Sequence, residues 1–185
     1  ATVTFVSLWA LFACCAGLAP ALYPALEDKL LLEAGLAGLL LVGREGPRIH
    51  GIHGIGRRLM AWLLFRAIFI SGAEKVTGPC GAWRSLTALG DVYQLEVFPL
   101  PPVWLLWMAP QALVKALSCL QLYTELVLSP LVLAPQRSVV TAAAIVQLGA
   151  VLIGAMLGNR GYAGICLSAM ALALLDDSWH GPIWS

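Results

Sequence analysis

Charge is what this sequence has least of. Only 11% of its 185 residues are Asp, Glu, Lys or Arg, while 60% are apolar. An ordinary soluble domain carries about 25% charged residues. So little charge cannot cover a water-soluble globule, and so much hydrophobicity excludes a disordered chain. Eleven basic residues against ten acidic leave a net charge of +1, too little for a nucleic-acid-binding field. Mean hydropathy is +0.85. The composition specifies a polytopic membrane protein, and the length suits a single integral membrane domain over 1–185.

Ligating residues are scarce too. Cys14, Cys15, Cys119 and Cys166 lie in apolar runs and only Cys80 lies in a polar stretch, so no disulfide framework or metal spacing is visible. His50, His53 and His180 all stand outside the long apolar runs. That argues against histidine ligation of haem or of a chlorophyll magnesium from within a span. His50-Gly-Ile-His53 has no carboxylate or thiol beside it to complete a metal site. Nucleophile elbow, HExxH, phosphate loop and CxxC are all missing. No catalytic, cofactor-binding or metal residue is assigned, and the expectation is a non-enzyme without cofactors. The first residue is Ala1, so a processed protein or a fragment is expected, with any targeting peptide removed.

What the sequence does have is a series of apolar runs. A helix needs about 20 residues to cross a hydrocarbon core of about 30 Å. Spans are expected at about 3–19, 30–43, 59–72, 108–134 and 139–157, with 162–175 a short sixth candidate. Each is helical, because lipid leaves no other backbone satisfied and barrel-like alternation is absent. The fold class is an all-α polytopic bundle of five to six transmembrane helices. The glycine-rich stretch 43–56 with Arg44, Arg48, Arg57 and Arg58 is the densest cationic loop. The positive-inside rule puts it on the cytosolic, matrix or stromal side. Residue 1 and Arg137 then lie inside, and 71–102 and Asn159 outside. Segment 71–102 carries or adjoins Trp83, Tyr93, Phe98, Trp104 and Trp107, rings suited to the headgroup level. It is expected on the membrane surface, with a short helix over 83–89. Gly149 and Gly154 in the cleanest span would allow close helix contact.

Three charges interrupt the runs: Glu33, Arg66 and Glu125. A charge at mid-bilayer costs roughly 2.5 to 3.5 kcal/mol on insertion scales. It must pair, face a wet cavity or snorkel. A structural pair, Glu33–Arg66 or Glu125–Arg66, fixing helix register is preferred over a substrate or proton site. Lys75 reads as an interfacial lysine pairing with Glu74 or lipid phosphate rather than a base. Asp176-Asp177 reads as the end of an apolar run at the water boundary rather than a metal or pyrophosphate site. Structural phospholipids are expected, with Arg57 and Arg58 meeting headgroup phosphates.

Several segments taken in order resemble the lipase maturation factor family. Leu30-Leu31-Leu32-Glu33-Ala34-Gly35 is similar to its LLLEAG segment. Trp62-Leu63-Leu64-Phe65-Arg66 followed by Ser71, Gly72 and Lys75 is similar to its WLLFR…SG..K stretch. Trp83 with Leu86-Thr87-Ala88-Leu89 is similar to W..LTAL. Pro99-Leu100-Pro101, Glu125, Gly158-Asn159 and Asp176-Asp177 come after these at similar spacing. The resemblance covers about 28–177. It implies a multipass protein of the endoplasmic reticulum that helps lipases fold and dimerise, without enzymatic activity. It also implies that 71–102 is lumenal and that the spans number five. Two stretches depart from the pattern. Val92-Tyr93-Gln94-Leu95-Glu96 stands where the family has a polar HYETQ-like stretch, and Gly158-Asn159-Arg160-Gly161 where it has GNYN.

Those departures, and the lack of the family's large soluble region in these residues, favour a family fold reused as a scaffold. The leading expectation is a non-catalytic accessory or assembly subunit of a larger respiratory or photosynthetic membrane complex. Its location would be the mitochondrial inner or thylakoid membrane. Its partners would be other membrane subunits, met through helix faces and the 71–102 segment, and lipids. The alternative is an endoplasmic-reticulum lipase maturation factor, present here as a fragment. A small membrane enzyme or carrier with Glu33, Arg66, Lys75 and Glu125 lining a wet cavity is the third.

Overall fold

The computed structural model describes residues 2–18, 26–41, 50–79, 81–94, 101–157 and 161–175, and every regular element among them is helical. In chain order these are α1 (Thr2–Leu18), α2 (Leu26–Leu41), α3 (His50–Thr77), α4 (Ala88–Gln94), α5 (Pro101–Trp107) and α6 (Gln111–Tyr123). A π-helical turn, Thr124–Leu128, and a 3-10 turn, Ser129–Leu133, continue α6. α7 (Arg137–Leu157) and α8 (Gly161–Leu175) complete the order. Two stretches are long and apolar enough to cross a membrane, Gln111–Leu133 and Arg137–Leu157. Val3–Leu18 and Ala163–Leu175 are apolar but shorter.

α3 is the centre of the packing. It touches α2, α8 and both the π and the 3-10 turn, while α7 lies along α8. Its Met60, Ala61, Leu63, Leu64 and Ile68 are buried, Leu64 completely. They share one core with Leu30, Ala34 and Ala37 of α2, Val132 of the 3-10 turn, Ala143 and Ala144 of α7, and Met170, Ala171 and Leu174 of α8. Alanine is the commonest residue among these partners. Hydrocarbon is as apolar as leucine, so helices in a bilayer gain little by hiding apolar area from it. They associate by close van der Waals contact, which small side chains permit.

Three expectations change. α3 begins at His50, inside the glycine-rich stretch expected to be a loop. The helix over 83–89 is displaced: residues 81–86 form turns and α4 starts at Ala88. Leu86 adopts φ 60°, a left-handed conformation unfavourable for a branched side chain, and this breaks the first turns from α4. Gly149 meets nothing within 4 Å of an added Cβ, so it makes no close helix contact; Ala143 and Ala144 do the close packing on α7 instead.

α1 is tied to α2 by a polar contact. Trp9 Nε1 donates to the Leu32 carbonyl at 2.9 Å. The indole lies against Gly35, where an added Cβ would stand 2.5 Å from Trp9 Cδ1.

Candidate functional site: a buried ionic joint

A largely buried ion pair lies where α3 crosses the π turn. Pro130 has no N–H for the Leu126 carbonyl. One residue earlier, the Ser129 hydroxyl donates to the Glu125 carbonyl. The regular ladder fails there, and the helix widens into a π turn over Thr124–Leu128. Such turns recur at functional sites because they re-aim one side chain. Here the side chain is Glu125.

Gly72 lets α3 reach it. A Cβ on Gly72 would stand 2.9 Å from Glu125 Cβ, closer than real Cβ atoms approach, and a tight 3.1 Å from the Leu126 side chain. Three residues on, nearly one helical turn, Lys75 Nζ donates to both Glu125 carboxylate oxygens, to Oε2 at 2.6 Å. The Lys75 and Glu125 side chains are 16% and 9% exposed. Gln121 Nε2 donates to Glu125 Oε1 at 3.0 Å. The turn after α3 brings the Trp83 ring under the ammonium, 5.0 Å from centroid to Nζ, within the range of a cation–π contact. Gln147 of α7, 1% exposed, donates to the Thr124 carbonyl at 2.9 Å. One carboxylate and its backbone therefore link α3, the π turn and α7.

A second pair lies at the middle of α2 and α3. Arg66 Nη2 donates to Glu33 Oε2. It is more open, with Arg66 and Glu33 side chains 36% and 43% exposed. Glu125 thus pairs with Lys75, not Arg66.

Other expected positions scatter. Ser71 is half-buried beside the joint. The hydroxyls of Thr87 and Ser85 hydrogen-bond each other at 3.0 Å. Pro101 is exposed at the start of α5. Arg57, expected at the headgroups with Arg58, is buried instead, at 6% exposure. It stands on the first turns of α3, ahead of the apolar run that begins at Leu59. Arg137, on the first turn of α7, lies close enough to act on its charge, which puts both arginines at one end of the bundle. Arg58 is half-exposed. Pro99, Gly158, Asn159, Asp176 and Asp177 lie outside the described residues.

Among the described residues no three His, Cys, Asp or Glu side chains group as metal ligands. Two cavities, about 240 Å³ beside α4 to α6 and about 330 Å³ between the 3-10 turn and α7, are lined by residues other than the joint's. Gln121, Gln147 and Trp9 were not singled out from the sequence. The available signal was a glutamine inside the otherwise apolar span of α7.

Helices long and apolar enough to cross a membrane, joined by buried polar contacts, define a membrane-embedded helical frame. The chain belongs to the lipase maturation factor family: its residues 1–181 match the model of the lipase maturation factor transmembrane domain. It is an integral membrane protein. It is 31% identical over 161 residues to lipase maturation factor 2 of Mus musculus, covering 81% of this chain and 23% of that protein. Lipase maturation factor 2 of Homo sapiens is 29% identical over 187 residues, covering 95% and 26%. That of Gallus gallus is 29% identical over 159 residues, covering 83% and 22%. The chain spans about a quarter of the length of these relatives. No solved structure matches it.

Proposed function

We propose that this chain is the membrane frame of an endoplasmic-reticulum lipase maturation factor. It is a non-catalytic bundle that holds the lumenal folding machinery against the bilayer while secreted lipases fold and assemble. The observation that carries this reading is family membership across residues 1–181. It favours the endoplasmic reticulum over the mitochondrial inner or thylakoid membrane, and a maturation factor over a respiratory or photosynthetic subunit. Five spans are the reading adopted: α1, α2, α3, Gln111–Leu133 and α7, with α8 packed against α3 and α7 as a short apolar helix. A structural role for the charges is supported by their mutual neutralisation in two ion pairs.

The test is complementation. In cells lacking their own lipase maturation factor, the full protein that carries this frame is expected to restore the specific activity of a secreted dimeric lipase. Localisation by immunofluorescence is expected in the endoplasmic reticulum. A protein that reaches that membrane at normal level and leaves the lipase inactive would overturn the reading.

A further inference from the structure

The end of the bundle where α6 begins carries a cavity that the ionic joint does not use. It measures about 240 Å³ and lies among α4, α5 and the first turns of α6. Its lining is mixed: Leu86, Leu89 and Leu106 are apolar, while Asp91, Gln111 and Lys115 are polar. Asp91 and Lys115 line the same cavity, yet they form no ion pair with each other. Two exposed side chains of opposite charge on one cavity wall suit a ligand that itself carries both signs.

Two further features locate this ligand. The N-terminus of α6 has no side-chain cap; the Pro110 carbonyl takes the N–H groups of Leu113 and Val114. The N–H groups of Gln111 and Ala112 stand outside the helix's own ladder, on the turn that leads into Lys115. Beside the cavity, Trp104, Leu105 and Met108 are 55%, 70% and 79% exposed. Such large apolar side chains belong at and below the headgroup level of a bilayer.

We propose that this cavity seats the headgroup of a zwitterionic glycerophospholipid. Lys115 and the first-turn N–H groups of α6 take the phosphate. Asp91 takes the ammonium. The leucines meet the glycerol, and the acyl chains run outside over Leu105 and Met108. An anionic headgroup satisfies Lys115 and leaves the Asp91 carboxylate facing no cation, so the site discriminates by charge balance. The inference needs only a membrane around the chain and stands apart from the client reading.

Native mass spectrometry of the intact protein tests it. The protein is released from bilayers of equimolar phosphatidylcholine, phosphatidylethanolamine and phosphatidylglycerol with matched chains. One zwitterionic lipid is expected to be retained, enriched about tenfold over phosphatidylglycerol. Lys115→Gln is expected to lower that retention about tenfold. Asp91→Asn is expected to bring phosphatidylglycerol to parity. Both side chains are exposed, so an unchanged Tm is the accompanying control. Equal retention of all three lipids by the native protein overturns the site. So does indifference to both substitutions. Soluble phosphocholine that binds as tightly as the lipid overturns its assignment to a bilayer source.

Discussion

At the scale of the residue, the two ion pairs differ because their surroundings differ. Removing one partner of a buried pair costs about 3 to 5 kcal/mol, whereas replacing both with apolar groups is often neutral or better. Glu125→Gln leaves the Lys75 ammonium facing an amide in an enclosed site, so a large fall in Tm in mild detergent is expected. The double replacement Lys75→Met with Glu125→Leu is expected to be more stable than either single change. Glu33→Gln breaks a pair whose side chains are more than a third exposed, and its fall in Tm is expected to be the smaller. Gly72→Ala pushes a Cβ to 2.9 Å from Glu125 Cβ, and overpacking of this kind costs about 1 to 3 kcal/mol. Equal Tm values for native protein, Glu125→Gln and Gly72→Ala would contradict the joint. Glu33, Arg66 and Glu125 stood out in the sequence because each is a charge in an apolar run. Which acid meets which base was not legible. It depends on a π turn and on one missing Cβ, and neither leaves a mark in hydropathy.

At the scale of the element, apolar runs located the helices, and irregular turns decided what they present. α3 extends into its glycine-rich leader despite the low helix propensity of glycine, because tertiary packing overrides a weak local preference. α4 lies later than expected because Leu86 takes a left-handed conformation. The π turn is the least legible element and the most consequential. Inserting one alanine after exposed Val127 rotates the residues beyond it by about 100°. That swings Ser129 and Val132, both buried, out of register with α3 and α7. The expected result is a fall in Tm at least as large as that of Glu125→Gln. An unchanged Tm would mean that the π turn does not set the register.

At the scale of the whole molecule, the composition already required a membrane, and the described residues place Arg57 and Arg137 at one end. Orientation is set by the positive-inside rule. With the native cysteines replaced, a thiol at exposed Ser138 is expected to react with an impermeant maleimide from the cytosolic side. A thiol at exposed Ser85 is expected to react only from the lumenal side. Reaction of both from one side would contradict this topology. The proposed maturation role was not legible in any single residue, because a frame would act through the parts it holds in place. The most direct measurement is therefore the specific activity of a secreted dimeric lipase in cells lacking their own maturation factor. The full protein that carries this frame is expected to restore that activity, and its Glu125→Gln variant to restore less, in proportion to its lower level. Full-level protein in the endoplasmic reticulum with lipase still inactive would contradict the maturation-factor role.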